Sequence, residues 1–323
     1  MGKISVAMIV SLWVVAVSIL LNRIVPEHYM DEIFHIPQAQ QYCKGNFRSW
    51  DPMITTPPGL YIVSLAYVAS LFPGLLSMKI DVLFADACSS SILRSTNGVL
   101  AVFCSILVYN IFTLLRPSLS DRKVTLRTVV LALYPLHWFF TFLYYTDVAS
   151  LTAVLASYLM RLKKKYIFSS LVGALAVLIR QTNIIWILLY IAHPYLVADN
   201  RHYPFYLWRK VIKFHWSMKY ILVPLYIYSW ISVFNILAKS QRKTWILVYF
   251  LATAATLIPA PLIEFRYYTI PFFFLILHSH VDDDRSWLLM GILYVAINIF
   301  TMYMFLYRPF SWAHETGVQR FIW

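Results

Sequence analysis

Residues 4–21 read ISVAMIVSLWVVAVSILL, eighteen consecutive positions without a charge. A run of that length suits a membrane-spanning helix, whereas the core of a secretory leader is only about 7–15 residues. No small-residue cleavage pattern follows it, so we expect an uncleaved signal-anchor. Gly2 invites an N-acyl reading, but Val6 stands where that motif needs Ser or Thr. The first span therefore directs the reading of everything behind it.

The rest of the chain shares its character. Of 323 residues 60% are hydrophobic and only 13% charged; a soluble domain carries about 25% charge, so most of this surface faces lipid or other apolar helices. Apolar runs recur at about 59–76, 95–115, 126–144, 147–162, 171–198, 219–238, 244–262, 265–281 and 286–307. The expectation is an all-α, polytopic membrane protein with about eight to ten spans, a single transmembrane domain over residues 1–323. A net charge of +13 does not imply nucleic-acid binding here. The basic residues border apolar runs, where they set topology and meet anionic headgroups.

Short basic loops orient the chain. Arg116, Arg122, Lys123 and Arg127 flank one turn, and Arg161, Lys163, Lys164 and Lys165 another. Both are expected on the cytoplasmic side. Two spans separate them, which places the tip Tyr145-Thr146-Asp147 on the far side. If Lys3 is also cytoplasmic, residues 22–115 must cross an odd number of times, and the run at 95–115 supplies one crossing. Gly59 to Leu76 is then a juxtamembrane helix, and residues 22–94 form one long luminal loop. Of the three cysteines, Cys43 and Cys88 both fall in that loop and can pair if it faces an oxidising compartment. Cys104 reads as a small buried residue.

Four of the fourteen acidic residues, Glu27, Asp31, Glu32 and Asp51, lie early in the loop. Phe34, Ile36, Ala39 and Tyr42 follow at roughly helical spacing, so Asp31 is placed to cap a helix running toward Gln41. A capping aspartate explains the pair without chemistry. A carboxylate at a membrane boundary can equally serve as a general base, and spacing does not choose between them. Weaker candidates are Arg180, which interrupts an apolar run, and Arg266, beside Glu264 near the start of a span. Arg201 and His202, in a polar segment, are a similar case. Asp282, Asp283 and Asp284 read as a solvated turn, and His278 with His280 as an unconvincing metal pair. No phosphate-binding loop, dinucleotide fingerprint, zinc-protease helix or serine-hydrolase elbow occurs.

Seven segments in order, MDEIFHIPQAQQYC (30–43), WDPMITTPPGLY (50–61), FFTFLYYTD (139–147), RQTNIIW (180–186), ADNRHYPFYLW (198–208), IEFRYYTIPF (263–272) and QRFIW (319–323), resemble one family. It is the endoplasmic-reticulum α-1,2-glucosyltransferase family that adds the last glucose to the lipid-linked oligosaccharide. The resemblance implies a multi-span glycosyltransferase (GT-C-like) fold in the endoplasmic-reticulum membrane, with the catalytic acid in the first luminal loop. It implies dolichyl-phosphate-glucose as donor and dolichyl-diphosphate-linked Glc2Man9GlcNAc2 as acceptor. Inverting transfer then needs a base, Asp31, with Glu32 as alternate or orienting partner. Arg266, Arg201, His202 and Arg180 are candidate phosphate contacts, and no metal is expected because the donor is a lipid monophosphate. One departure stands out: only Ile187 to Val197 separate RQTNIIW from ADNRHY, where full-length relatives carry several spans. The shortening resembles an internal deletion, and an inactive or accessory form is the alternative reading.

Overall fold

The computed structural model describes residues 2–72, 87–183, 218–257, 265–311 and 317–323. It divides into two compact units, Met1–Ile187 and Leu188–Trp323. Among the described residues no strand forms beyond one antiparallel bridge between Phe310 and Gln319. Three described helices are long and apolar enough to cross a membrane: Gly2–Ile24, Ser90–Leu115 and Asp284–Tyr307. The chain is a multi-pass helical membrane protein, as its composition requires.

In the first unit, helix α1 (Gly2–Ile24) exposes Ile4, Met8, Leu12, Val15 and Ile19, while Val6, Val10, Val14 and Leu21 are buried. Both faces are apolar, so the exposed one is a lipid-facing stripe. Two short helices follow, α2 (Glu32–Cys43) and α3 (Gly59–Leu71). At 13 residues, α3 is about 20 Å long, short of the roughly 30 Å hydrocarbon core. Helix α4 (Ser90–Leu115) packs against α1, α2 and α3. Its Gly98 makes room for Val14 of α1, because a Cβ there would come within 2.9 Å of that side chain.

The apolar run at 126–144 is not one helix. It divides into α5 (Asp121–Ala132) and α6 (Pro135–Phe140). Pro135 brings no N–H to continue the ladder, and it holds Tyr134 at φ −52°, ψ 122°, outside the helical region. Helix α7 (Thr146–Leu162) is buried continuously from Thr146 to Leu155 and packs on α4 and on α8 (Tyr166–Ile179). A disulfide joins Cys43 to Cys88 across 45 residues, and Cys104 is buried with a free thiol.

The second unit contains α9 (Met218–Ala238), α10 (Lys243–Leu257), a 3-10 turn at Phe265–Tyr268, α11 (Thr269–His278) and α12 (Asp284–Tyr307). Leu237, Ile246 and Tyr249 form a small core between α9 and α10. The Tyr249 hydroxyl donates to Pro271 O at 3.1 Å, and the Ser240 hydroxyl to His278 O at 2.8 Å. His278 lies against Trp245, with ring centroids 4.4 Å apart. Of the acidic triplet, Asp283 caps α12: its carboxylate accepts from Arg285 N, Ser286 N and the Ser286 hydroxyl. Those bonds, the hydroxyl's foremost, hold its carboxyl below the usual range. Beyond α12, Arg320 of the terminal QRFIW donates to Phe305 O at 2.6 Å and Leu306 O at 2.9 Å. The last residues thus satisfy carbonyls that the helix end leaves over.

Candidate functional site

The end of α1, the start of α2, the first turns of α4 and the start of α7 converge on Glu32. This carboxylate is fully buried. Its Oε2 accepts from Arg94 Nη2 at 2.6 Å and from Tyr29 N at 3.2 Å. Its Oε1 accepts from Arg94 Nε at 2.9 Å and from Tyr144 N at 2.7 Å. The pairing with Arg94 is a two-pronged fork, the geometry that guanidinium and carboxylate share. Arg94 is only 2% exposed. It also donates to Val25 O, Glu27 O and Asn22 Oδ1. A buried charge is costly unless paired and fully hydrogen-bonded, and this arrangement meets that requirement on both partners.

Asp31, one residue earlier, has a different environment. It occupies the cap position of α2, as expected, yet its side chain makes no capping bond. The reason is its backbone: φ −60°, ψ −21° is already helical, whereas a capping aspartate needs extended dihedrals to fold back over the N2 and N3 amides. The chain enters that turn through Met30, held at φ +54°. This is the left-handed region that a non-glycine residue adopts only under constraint, and such strain gathers at functional sites. Asp31 is partly exposed. Its backbone N–H donates to the Tyr145 hydroxyl at 3.1 Å.

A second ion pair begins three residues along the chain from Tyr144, at Asp147. Arg180, at the end of α8, donates to the carboxylate of Asp147, in the first turn of α7. Nearby, the Ser150 hydroxyl donates to Asn183 Oδ1 at 2.9 Å, Asn183 Nδ2 donates to Ala176 O, and Gln181 Nε2 donates to Thr55 O at 2.9 Å. These bonds tie RQTN to YYTD and to TTPPG. Residues 49–51 are pinned in turn by Gln38, which donates to Ser49 O and accepts from Asp51 N.

Of the residues singled out in the sequence, Asp31, Glu32 and Arg180 belong to this unit. Arg266 lies in the 3-10 turn of the second unit. Arg201 and His202 lie outside the described residues. Sequence reasoning missed Arg94, Asn97, Tyr145 and Asp147 as parts of the arrangement. The available signal was an arginine and an asparagine, in SILRSTNG, at the threshold of a long apolar run, where polar groups are tolerated only with partners.

The chain matches the model of the DIE2/ALG10 family over residues 25–192 and 188–277. The Dol-P-Glc:Glc(2)Man(9)GlcNAc(2)-PP-Dol alpha-1,2-glucosyltransferase of Arabidopsis thaliana is 43% identical over 509 residues, with 100% of each chain covered. The proteins of the same name from Mus musculus and Homo sapiens are 28% and 26% identical, with 94% of each chain covered. No solved structure matches significantly. An alignment 509 positions long cannot be filled by 323 residues, so at least 186 of its positions (509 against 323) face a gap in this chain. The two family matches meet at residues 188–192, where the two structural units also divide. The chain is a shortened form.

Proposed function

The chain belongs to the DIE2/ALG10 family, and from that premise we propose that it transfers glucose from dolichyl-phosphate-glucose to dolichyl-diphosphate-linked Glc2Man9GlcNAc2. The bond formed is α-1,2, in the endoplasmic-reticulum membrane, with residues 22–94 on the luminal side. The observation that carries this reading is the 43% identity with the Arabidopsis protein in an alignment that covers all of both chains. The Cys43–Cys88 bond supports the luminal side, since structural disulfides persist in oxidising compartments.

The chemistry is a single displacement. The acceptor 2-hydroxyl attacks C1 of the donor glucose as its proton passes to a base. The C1–O bond to the lipid phosphate breaks, dolichyl phosphate departs, and the β-linked sugar becomes α-linked. Asp31 is the base in this reading: it is partly exposed and is not engaged in capping its own helix. Glu32 is the orienting partner, because four hydrogen bonds already fill its carboxylate. Arg266, Arg201, His202 and Arg180 are proposed contacts for the donor phosphate, for which charge-assisted bonds suit.

The test is to supply both lipids to the purified chain in nanodiscs and follow the gain of one hexose, with the linkage read by glycosidase digestion. Transfer that Asp31→Asn abolishes supports the reading, and full turnover by that variant removes the base assignment. The gap of at least 186 alignment positions does not by itself favour the alternative, an inactive shortened form. Transfer by a chain with the missing segment restored, and none by this one, would establish it.

A further inference from the structure

Tyr145 is the residue before α7, as Asp31 is the residue before α2, and the two meet: the Asp31 amide donates to the Tyr145 hydroxyl at 3.1 Å. Tyr145 is 2% exposed. Its ring packs on Phe140, with centroids 5.1 Å apart. Its backbone is anchored independently, for Asn97 Nδ2 donates to Tyr145 O at 2.8 Å and to Leu143 O at 2.6 Å. That fork holds residues 143–145 in the conformation that turns the Tyr144 amide to Glu32 Oε1, while the Tyr144 hydroxyl reaches Ser64. The residue at 31 is therefore fixed from two directions. Glu32, its covalent neighbour, is locked by Arg94, and its own amide is held by Tyr145. The strained Met30 directly precedes it, so loss of either hold leaves a turn with reason to relax.

We infer that Tyr145 is a positioning residue for the Asp31 carboxylate, its hydroxyl fixing the backbone of residue 31 from a frame that Asn97 sets. The inference rests on Asp31 being the base. Displacing a reacting group by about 1 Å costs on the order of 100-fold in rate, which is the scale on which such a hold matters.

Tyr145→Phe tests it, since the variant keeps the ring and its packing and deletes only the hydroxyl. The full chain in nanodiscs is assayed for glucose transfer and, on the same samples, for amide hydrogen exchange over residues 29–34. The expected result is kcat lower by about tenfold or more, KM for both lipids unchanged, and Asp31 exchange faster by about tenfold, the factor for one lost hydrogen bond. In an Asp31→Asn background the substitution should have no further effect on transfer. Wild-type kcat, or exchange over 29–34 unchanged from wild type, overturns the inference whatever happens to thermal stability. The exchange arm does not require turnover. If Asp31→Asn abolishes transfer and Tyr145→Phe does not slow it, this inference fails and the base assignment stands. If Asp31→Asn turns over normally, the base assignment fails and takes this inference with it.

Discussion

Glu32 and Arg94, 62 residues apart in the chain, meet in a 2.6 Å ion pair with almost no exposure on either side. The pair does more than neutralise charge. Through it the last turn of α1, the first turn of α2, α4 and the segment before α7 share one hydrogen-bond network. A network of that kind, with each member satisfied, makes one arrangement of four elements much better than its neighbours.

Removing one partner should therefore cost far more than removing both. Glu32→Gln or Arg94→Met leaves a buried charge uncompensated, and each should lower stability by about 3–5 kcal/mol. The double variant should lose clearly less than the two single losses together. Thermal unfolding in detergent, arranged as a double-mutant cycle, reads the difference. Coupling below about 0.5 kcal/mol would mean that the pair does not hold these helices.

The Asp147–Arg180 pair makes a separate case. Arg180→Ala should destabilise the first unit, and Asp147→Asn should lose little more in that background, because the tie is already gone. Coupling within about 0.5–3 kcal/mol is the expectation for residues in contact. A donor KM that rises in Arg180→Lys, with the unfolding temperature unchanged, would support the proposed contact of Arg180 with the donor phosphate.

How much of this was legible beforehand depends on the reach of the signal. The uncharged run at 4–21 announced a span because length and polarity are local properties. The helix over 32–43 was readable from spacing, and the motif series carried the family. The capping role read for the Asp31 side chain did not survive, because it depends on a backbone angle that the Tyr29–Met30 turn imposes. The run at 126–144 looked continuous because Pro135 is itself apolar in composition, although it ends a helix by geometry. Arg94 and Asn97 were invisible as site residues for a different reason. Their partners lie 46–72 positions away, and no periodicity connects an arginine at the mouth of one helix to a glutamate at the start of another.

The disulfide predicts a labelling pattern. With Cys104 buried and Cys43 bonded to Cys88, the denatured but unreduced chain should accept one maleimide-polyethylene glycol, and the reduced chain three. Closing a 45-residue separation should contribute about 4 kcal/mol on loop-entropy grounds, so Cys43→Ser should unfold at a distinctly lower temperature. Three additions without reductant, from protein made in membranes with an oxidising lumen, would contradict both the bond and the luminal placement of the loop.

Gly59 begins α3 at the point where that helix meets the end of α8. A Cβ there would run into the backbone carbonyl of Leu178, with the Ile179 amide just behind it. Backbone cannot swing aside as a long side chain can, so Gly59→Ala must push α3 off α8, at a cost of about 1–3 kcal/mol. The movement would also strain the Gln181–Thr55 bond, which joins the RQTN segment to the turn ahead of α3. Gly59→Ala should therefore lower the unfolding temperature and speed amide exchange in residues 178–183 together. Gly98→Ala should disturb the α1–α4 contact instead, since among the described residues its Cβ would meet Val14 of α1. If Gly59→Ala changed neither stability nor exchange at 178–183, the close approach of these two helices would be refuted, and with it the route by which the Thr55 turn is held against the Asp147–Arg180 pair.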